Sequence, residues 1–314
     1  MESLKLSFEA VTPIFLMMLL GYTLKRIKFV QENVFDAINK MVFWVFLPLL
    51  LFYNIYSTRN LSGFENTGRL FLFTIISVMA VFFLGLISVF FITKQNAKRA
   101  VILQSLFRTN FAILGVPVVS YICKDNITGL SSLMVALVVP LFNILAVACF
   151  EIFNGRDEKA GNLLKGIISN PLIIGCFAGI LFLVFKINLP HPIEKTISDI
   201  SKVASPLAII TLGAGFAFKD IKGCIKENVI VILVRLVLIP IIVLSVAAYM
   251  GFAGEAFACL MVAFAGPVAV SSYSTAQQMG GDKTLASQFV VLTSALCIAT
   301  LFIWIFVFSN LGVI

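Results

Sequence analysis

The sequence predicts an all-α polytopic membrane protein: ten transmembrane helices arranged as an inverted repeat of five plus five. Three observations predict it. Hydrophobic residues make up 60% of the chain and charged ones only 12%, about half the charged share that a soluble domain needs to cover its surface. Apolar runs long enough for about 20 residues of helix fall at 6–24, 34–56, 69–93, 100–122, 129–153, 166–187, 197–218, 229–250, 255–278 and 284–310. Finally, residues with special helical behaviour recur at one spacing: Pro13 and Pro171, Gly21 and Gly179, and Pro48 and Pro206 are each 158 positions apart.

The elements follow in chain order. The first run is trailed, not preceded, by its basic cluster (Lys25, Arg26, Lys28), so it is expected as a spanning helix and not as a cleaved leader. Span two carries Pro48, and span three is almost wholly apolar. Span four contains "FRTNFAILGVPVV" at 107–119, and span five Pro140 and Asn143. The link at 154–165 divides the chain into a first five-helix repeat, 1–153, and a second, 166–314. Spans six and seven repeat the prolines of one and two. Span eight carries Pro240, and Gly266-Pro267 in span nine answers Gly115-Val-Pro117 in span four at an offset near 150. Because each half holds an odd number of spans, the second half enters from the opposite face. Inverted repeats of this kind are the architecture of secondary transporters.

Charge in the links sets the expected orientation. The links after spans one, three, five, seven and nine hold thirteen Lys and Arg residues against six on the other face. The first group is therefore predicted to be cytoplasmic, in the plasma membrane, with both termini outside. The net charge of +8 is spread over five short links, which excludes a nucleic-acid partner and leaves the lipid bilayer as the surroundings. Six scattered cysteines without a CxxC spacing read as small buried hydrophobes.

Spans four and nine carry the chemistry. Pro117 and Pro267 have no N–H for the carbonyls four residues earlier and crowd them, while Gly115 and Gly266 add backbone freedom. The break in span four is expected across roughly 110–117. In hydrocarbon, a broken helix persists only where it is buried in protein or lines a water-filled cavity. Matching breaks in two repeats mark a midplane binding site, with half-helix N-termini suited to a carboxylate. Asn110, Ser271 and Ser272 are candidate substrate ligands beside the breaks. Two placements are open to Arg108: pairing with a substrate carboxylate, or reaching cytoplasmic water by snorkelling. Asn143 is a candidate ligand or an interhelical hydrogen-bonding residue.

These motifs resemble a known family. "RTNFAILGVPVV" resembles the fourth-helix motif of the auxin efflux carrier family, and "FLPLLLF" (46–52), "NPLIIG" (170–175) and "AGPVAVSSYSTAQQMGGDKTLAS" (265–287) resemble its second-, sixth- and ninth-helix signatures. The resemblance implies broken helices four and nine crossing at their midpoints, as in bile-acid:sodium symporter/NhaA-like folds. It also implies a scaffold and a moving transport domain, a homodimer, and an organic-anion substrate. The implied site is Asn110, Gly115, Pro117 and Pro267 with Ser271 and Ser272 nearby. The central link is only about a dozen residues long and the plant-type Asn-Pro of helix four is absent, which points to a bacterial-type carrier of dicarboxylates or monocarboxylates.

Other function classes find little support. No GxxxxGK[ST] occurs, nor HExxH or GxSxG, and the single histidine is His191 in an external link, so neither ATP-driven transport nor an enzyme is expected. No cofactor is implied. Asp36, Glu151 and Asp199 sit near span ends, which leaves coupling to H+, to Na+ or to voltage open. A small-carboxylate carrier is the first expectation. A sensor that binds a ligand on a transporter fold without moving it is the second.

Overall fold

The computed structural model describes residues 2–58, 67–111, 118–120, 122–123, 130–154, 166–216 and 218–314. Its helices are α1 (Glu2–Arg26), α2 (Glu32–Tyr56), α3 (Gly68–Ile92), α4 (Asn96–Phe107), α5 (Leu130–Asn154), α6 (Pro171–Val184), α7 (His191–Gly215), α8 (225–249), α9 (Gly254–Ala265), α10 (Ser271–Gln278) and α11 (Lys283–Asn310). Among the described residues, six helices are long and apolar enough to cross a membrane: α2, α3, α5, α7, α11 and α8 with the turns before it. The shorter apolar helices α6 and α9 run 14 and 12 residues. α4 is equally short, at 12 residues, because a break ends it.

Local chemistry explains several boundaries. Asn170 caps α6, its side-chain oxygen accepting from the Leu172 N–H at 3.0 Å, with Pro171 pre-set at the first helical position. Asp282 caps α11 in the same way through Leu285 N–H at 2.9 Å. Pro48 and Pro240 lie within continuous helices, and each follows a π turn, Val42–Phe46 and Val234–Leu238. The wider turn draws the carbonyl four residues back away from the proline ring. In α8 that carbonyl belongs to Leu236, and the Trp304 indole N–H takes it at 3.1 Å.

Two close helix contacts carry the same spacing as the sequence repeat. A Cβ at Gly21 of α1 would overlap the carbonyl oxygen of Ile210 in α7, and one at Gly179 of α6 would come within 2.9 Å of the carbonyl oxygen of Phe52 in α2. Both members of one contact lie 158 positions from their counterparts in the other. Only glycine admits backbones this close.

Burial sorts the helices. Every residue of α4 from Ala100 to Phe107 and of α9 from Phe257 to Ala265 is buried. α3, by contrast, displays Leu72, Leu84 and Phe91 on its outer face, as a lipid-facing helix does. The interrupted helices therefore lie at the centre of the bundle, where neighbouring protein can satisfy their broken backbone.

Candidate functional site

α4 ends at Phe107, and Arg108 leaves it in an extended conformation (φ −83, ψ 102). The break thus opens at Arg108, two residues earlier than the composition around Pro117 suggests. α9 ends at Ala265, where Gly266 is likewise extended (φ −70, ψ 162). The two breaks pair with each other. Thr109 and Val268 form an antiparallel bridge, Asn110 N–H donates to the Pro267 carbonyl at 2.9 Å, and Ala269 N–H donates to the Arg108 carbonyl at 3.2 Å. The Ala263 carbonyl, which Pro267 cannot serve, accepts the Thr109 hydroxyl at 3.1 Å. Val268 N–H reaches Thr293 Oγ1 at 3.1 Å. Backbone groups that lipid could not hydrate are in this way matched across the breaks.

Arg108 is 1% exposed, so it does not snorkel. Its guanidinium donates to Gln104 Oε1 (3.1 Å), Thr275 Oγ1 (3.1 Å), Asn143 Oδ1 (2.6 Å) and Ser271 Oγ (3.0 Å). All four acceptors are neutral, and among the described residues no carboxylate pairs with it. Three of those acceptors are themselves fixed. Asn143 Nδ2 donates to the Val139 carbonyl at 2.8 Å, Gln104 Nε2 to the Ser272 carbonyl at 3.1 Å, and Thr275 Oγ1 to the Ser271 carbonyl at 2.9 Å.

A narrow pocket opens beside this cation. It is bounded by Arg108, Thr109 and Asn110, by Ala269, Val270 and Ser271 at the start of α10, by Phe142 and Asn143 of α5, by Ser205 and Ala208 of α7, and by Leu47 to Asn54 of α2. Asn110 Nδ2 is buried there with no hydrogen-bond partner among the described residues, an arrangement that proteins rarely leave in place. The positive end of α10 adds to the field of Arg108. The pocket is thus a positively charged cleft with one unspent amide donor, chemistry suited to a carboxylate.

Of the sequence-predicted residues, Arg108, Asn110, Asn143 and Ser271 border one pocket, and Pro267 joins it through its carbonyl to Asn110. Ser272 lies behind the wall, with its hydroxyl buried and unpartnered. Gly115 and Pro117 lie outside the described residues. Three contributors escaped the sequence reading. Gln104 sits one helical turn before Arg108, the spacing at which helix side chains meet. Thr275 was visible only as one polar residue among several. Arg235 was passed over inside an apolar run, although any arginine there needs a stated partner.

That partner is backbone. Arg235 is fully buried in the π turn of α8. Its Nη1 donates to the Leu106 carbonyl at 2.9 Å and its Nη2 to the Ala263 carbonyl at 3.3 Å. Toward the predicted cytoplasmic end, a second network ties α2 to α10. Asn39 Nδ2 donates to Gln277 Oε1 (2.8 Å), Ser274 Oγ to Asn39 Oδ1 (2.6 Å), and Gln277 Nε2 to Asp36 Oδ1 (2.6 Å). Beyond the spans, Lys98 Nζ meets Glu227 Oε1 at 3.0 Å. Burial alone would lower the Lys98 ammonium, but the hydrogen bond to Glu227, together with the charge of Glu227 and the Cys224 thiol beside it, holds it above its ordinary 10.5.

A bundle of membrane-length apolar helices around a buried polar site defines a multi-pass membrane protein. The family model described as "Membrane transport protein" matches residues 6–162 and 158–305; the chain belongs to that family, the transporter family that includes the auxin efflux carriers. Relatives include an uncharacterized transporter of Methanothermobacter thermautotrophicus, 24% identical over 95% of this chain and 97% of its own. The uncharacterized transporter YfdV of Escherichia coli is 24% identical over 94% and 95%. A putative malonate transporter of Rhizobium meliloti is 22% identical over 92% of each chain.

Proposed function

We propose that the chain is a secondary carrier for small organic anions, with short mono- and dicarboxylates such as malonate as the substrate class, bound where the two breaks meet. The observation that carries this reading is Arg108: a fully buried cation held by neutral oxygens alone, beside an amide donor with nothing to bind. Burying an unpaired charge costs several kcal/mol, at least about 3, unless a mobile counter-ion shares the site. A bound carboxylate would accept from Asn110 Nδ2 and, in place of a neutral acceptor such as Ser271 Oγ, from Arg108, at the N-terminal end of α10.

In this reading the ten spans form the inverted five-plus-five repeat, and spans four and nine cross at the paired segments. The site alternates between faces as those spans move against α1, α2, α6 and α7. The protein is a homodimer of the plasma membrane with both termini outside. The name of the Rhizobium relative supports malonate as the first substrate to try, and the matched 158-residue spacing of the Gly21 and Gly179 contacts supports the repeat. The test is uptake into proteoliposomes of radiolabelled malonate, malate, lactate and indole-acetate. Saturable uptake of at least one, abolished in Arg108→Gln, is expected. Uptake of none of these or any related anion overturns the carrier reading, and unchanged uptake in Arg108→Gln overturns the site.

A further inference from the structure

Where a broken helix ends, its last carbonyls carry about half a negative charge, and in transporters such carbonyl ends are where a coupling cation sits. Here two ends converge. α4 stops because Asn110 N–H turns to Pro267, so the Leu106 carbonyl loses its helical donor. α9 stops because Pro267 has no N–H for the Ala263 carbonyl. Those two carbonyls are the ones Arg235 takes, one with each terminal nitrogen.

We propose that Arg235 is a tethered cation in the seat that a coupling sodium ion would otherwise occupy, so that the carrier proposed above, on which this inference rests, works without sodium. Charge and geometry agree. Two helix ends of roughly half a charge each sum to about one negative charge, which one guanidinium balances, and among the described residues no carboxylate competes for it. The forked guanidinium holds both ends at a fixed separation, which a single ammonium could not do. The position is also fixed from behind: residue 235 lies in the π turn that precedes Pro240, and Trp304 secures the Leu236 carbonyl beside it. Arg235 touches no part of the substrate pocket, so it is a positioning residue for the break that presents Arg108 and Asn110.

The test uses small cations. Wild-type protein is expected to show the same malonate uptake, and the same melting temperature in detergent, whether sodium or choline is the external cation. Arg235→Ala is expected to lose about tenfold or more in uptake in choline, since it removes the cation and strands the Leu106 carbonyl, leaving Ala263 to Thr109 alone, and to recover several-fold in millimolar guanidinium. Arg235→Lys, which keeps the charge but not the fork, falls between. Wild-type uptake or melting that depends on sodium overturns the proposal. So does an Arg235→Ala protein that responds to guanidinium no more than to choline. If Arg235→Ala yields no folded protein, Arg235→Lys decides under the same cations, and its indifference to guanidinium likewise overturns the proposal. The melting measurements need no substrate, so they judge Arg235 even if none of the tested anions is carried.

Discussion

Arg108 and Asn110 sit two positions apart on an extended segment, yet they are held very differently. Arg108 has four partners; Asn110 offers its carboxamide N–H to the pocket with none. Their removal should therefore read differently. Arg108→Gln leaves the ligand carboxylate without its cation, and a loss of about 2–5 kcal/mol is expected, seen as a fall in malonate affinity of at least thirtyfold. Asn110→Ala removes one hydrogen bond to a charged ligand, about 1.5–3 kcal/mol, and should raise the concentration for half-maximal uptake about ten- to a hundredfold with less effect on maximal rate. Equal losses in both variants would contradict this division. The place of Asn110 beside the break was legible in the sequence, where an amide can serve either a carboxylate or the freed backbone carbonyls. The standing of Arg108 was not, since its depth depended on where α4 stops, and the residue that stops it is Pro267, more than 150 positions away.

Helix-scale features were the most legible. Proline and glycine act through the backbone of their own helix, so the 158-residue spacing of Pro13, Gly21, Pro48 and their counterparts can be read without any tertiary information. What they could not announce was the response of the surroundings. A proline predicts a freed carbonyl but not that a π turn absorbs it at Pro48, that Trp304 caps it behind Pro240, or that Arg235 and Thr109 share it behind Pro267. The backbone contacts at Gly21 and Gly179 give an element-level prediction. Gly179→Leu should force α6 away from Phe52 in α2, at about 1–3 kcal/mol, lowering the melting temperature by several degrees. The equivalent Gly21→Leu should do the same between α1 and α7. Unaltered melting in both would mean that these contacts do not hold the helices together.

For the whole molecule, the network of Asp36 and Asn39 with Ser274 and Gln277 ties α2 to α10, while the pocket wall extends along α2 to Asn54. This network is predicted to act as a seal between the pocket and the predicted cytoplasmic side. Asn39→Ala removes two of the three sealing hydrogen bonds. It should increase, several-fold, the rate at which an impermeant maleimide applied from that side labels Ser271→Cys. No increase would show that the network is not a seal. Farther out, the Lys98–Glu227 pair links the α4 end to α8, and because Lys98 stays charged through the neutral range its contribution persists there. Lys98→Met should cost about 1 kcal/mol, read as a lower melting temperature at neutral pH.

That Arg108 has no acidic partner among the described residues has an electrical meaning. If this segment travels between faces, the empty carrier hauls one uncompensated positive charge through the bilayer's field, work of about 2.3 kcal/mol per 100 mV if the full field is crossed. A monovalent anion cancels that charge and makes the loaded stroke indifferent to voltage; a divalent one reverses its sign. One carrier would thus have its slow, voltage-sensitive stroke on the empty return for lactate and on both strokes for malonate, where an inside-negative potential opposes the inward loaded stroke and the outward empty one alike. Clamping liposomes at inside-negative potential should therefore hinder malonate entry and leave the loaded stroke for lactate untouched.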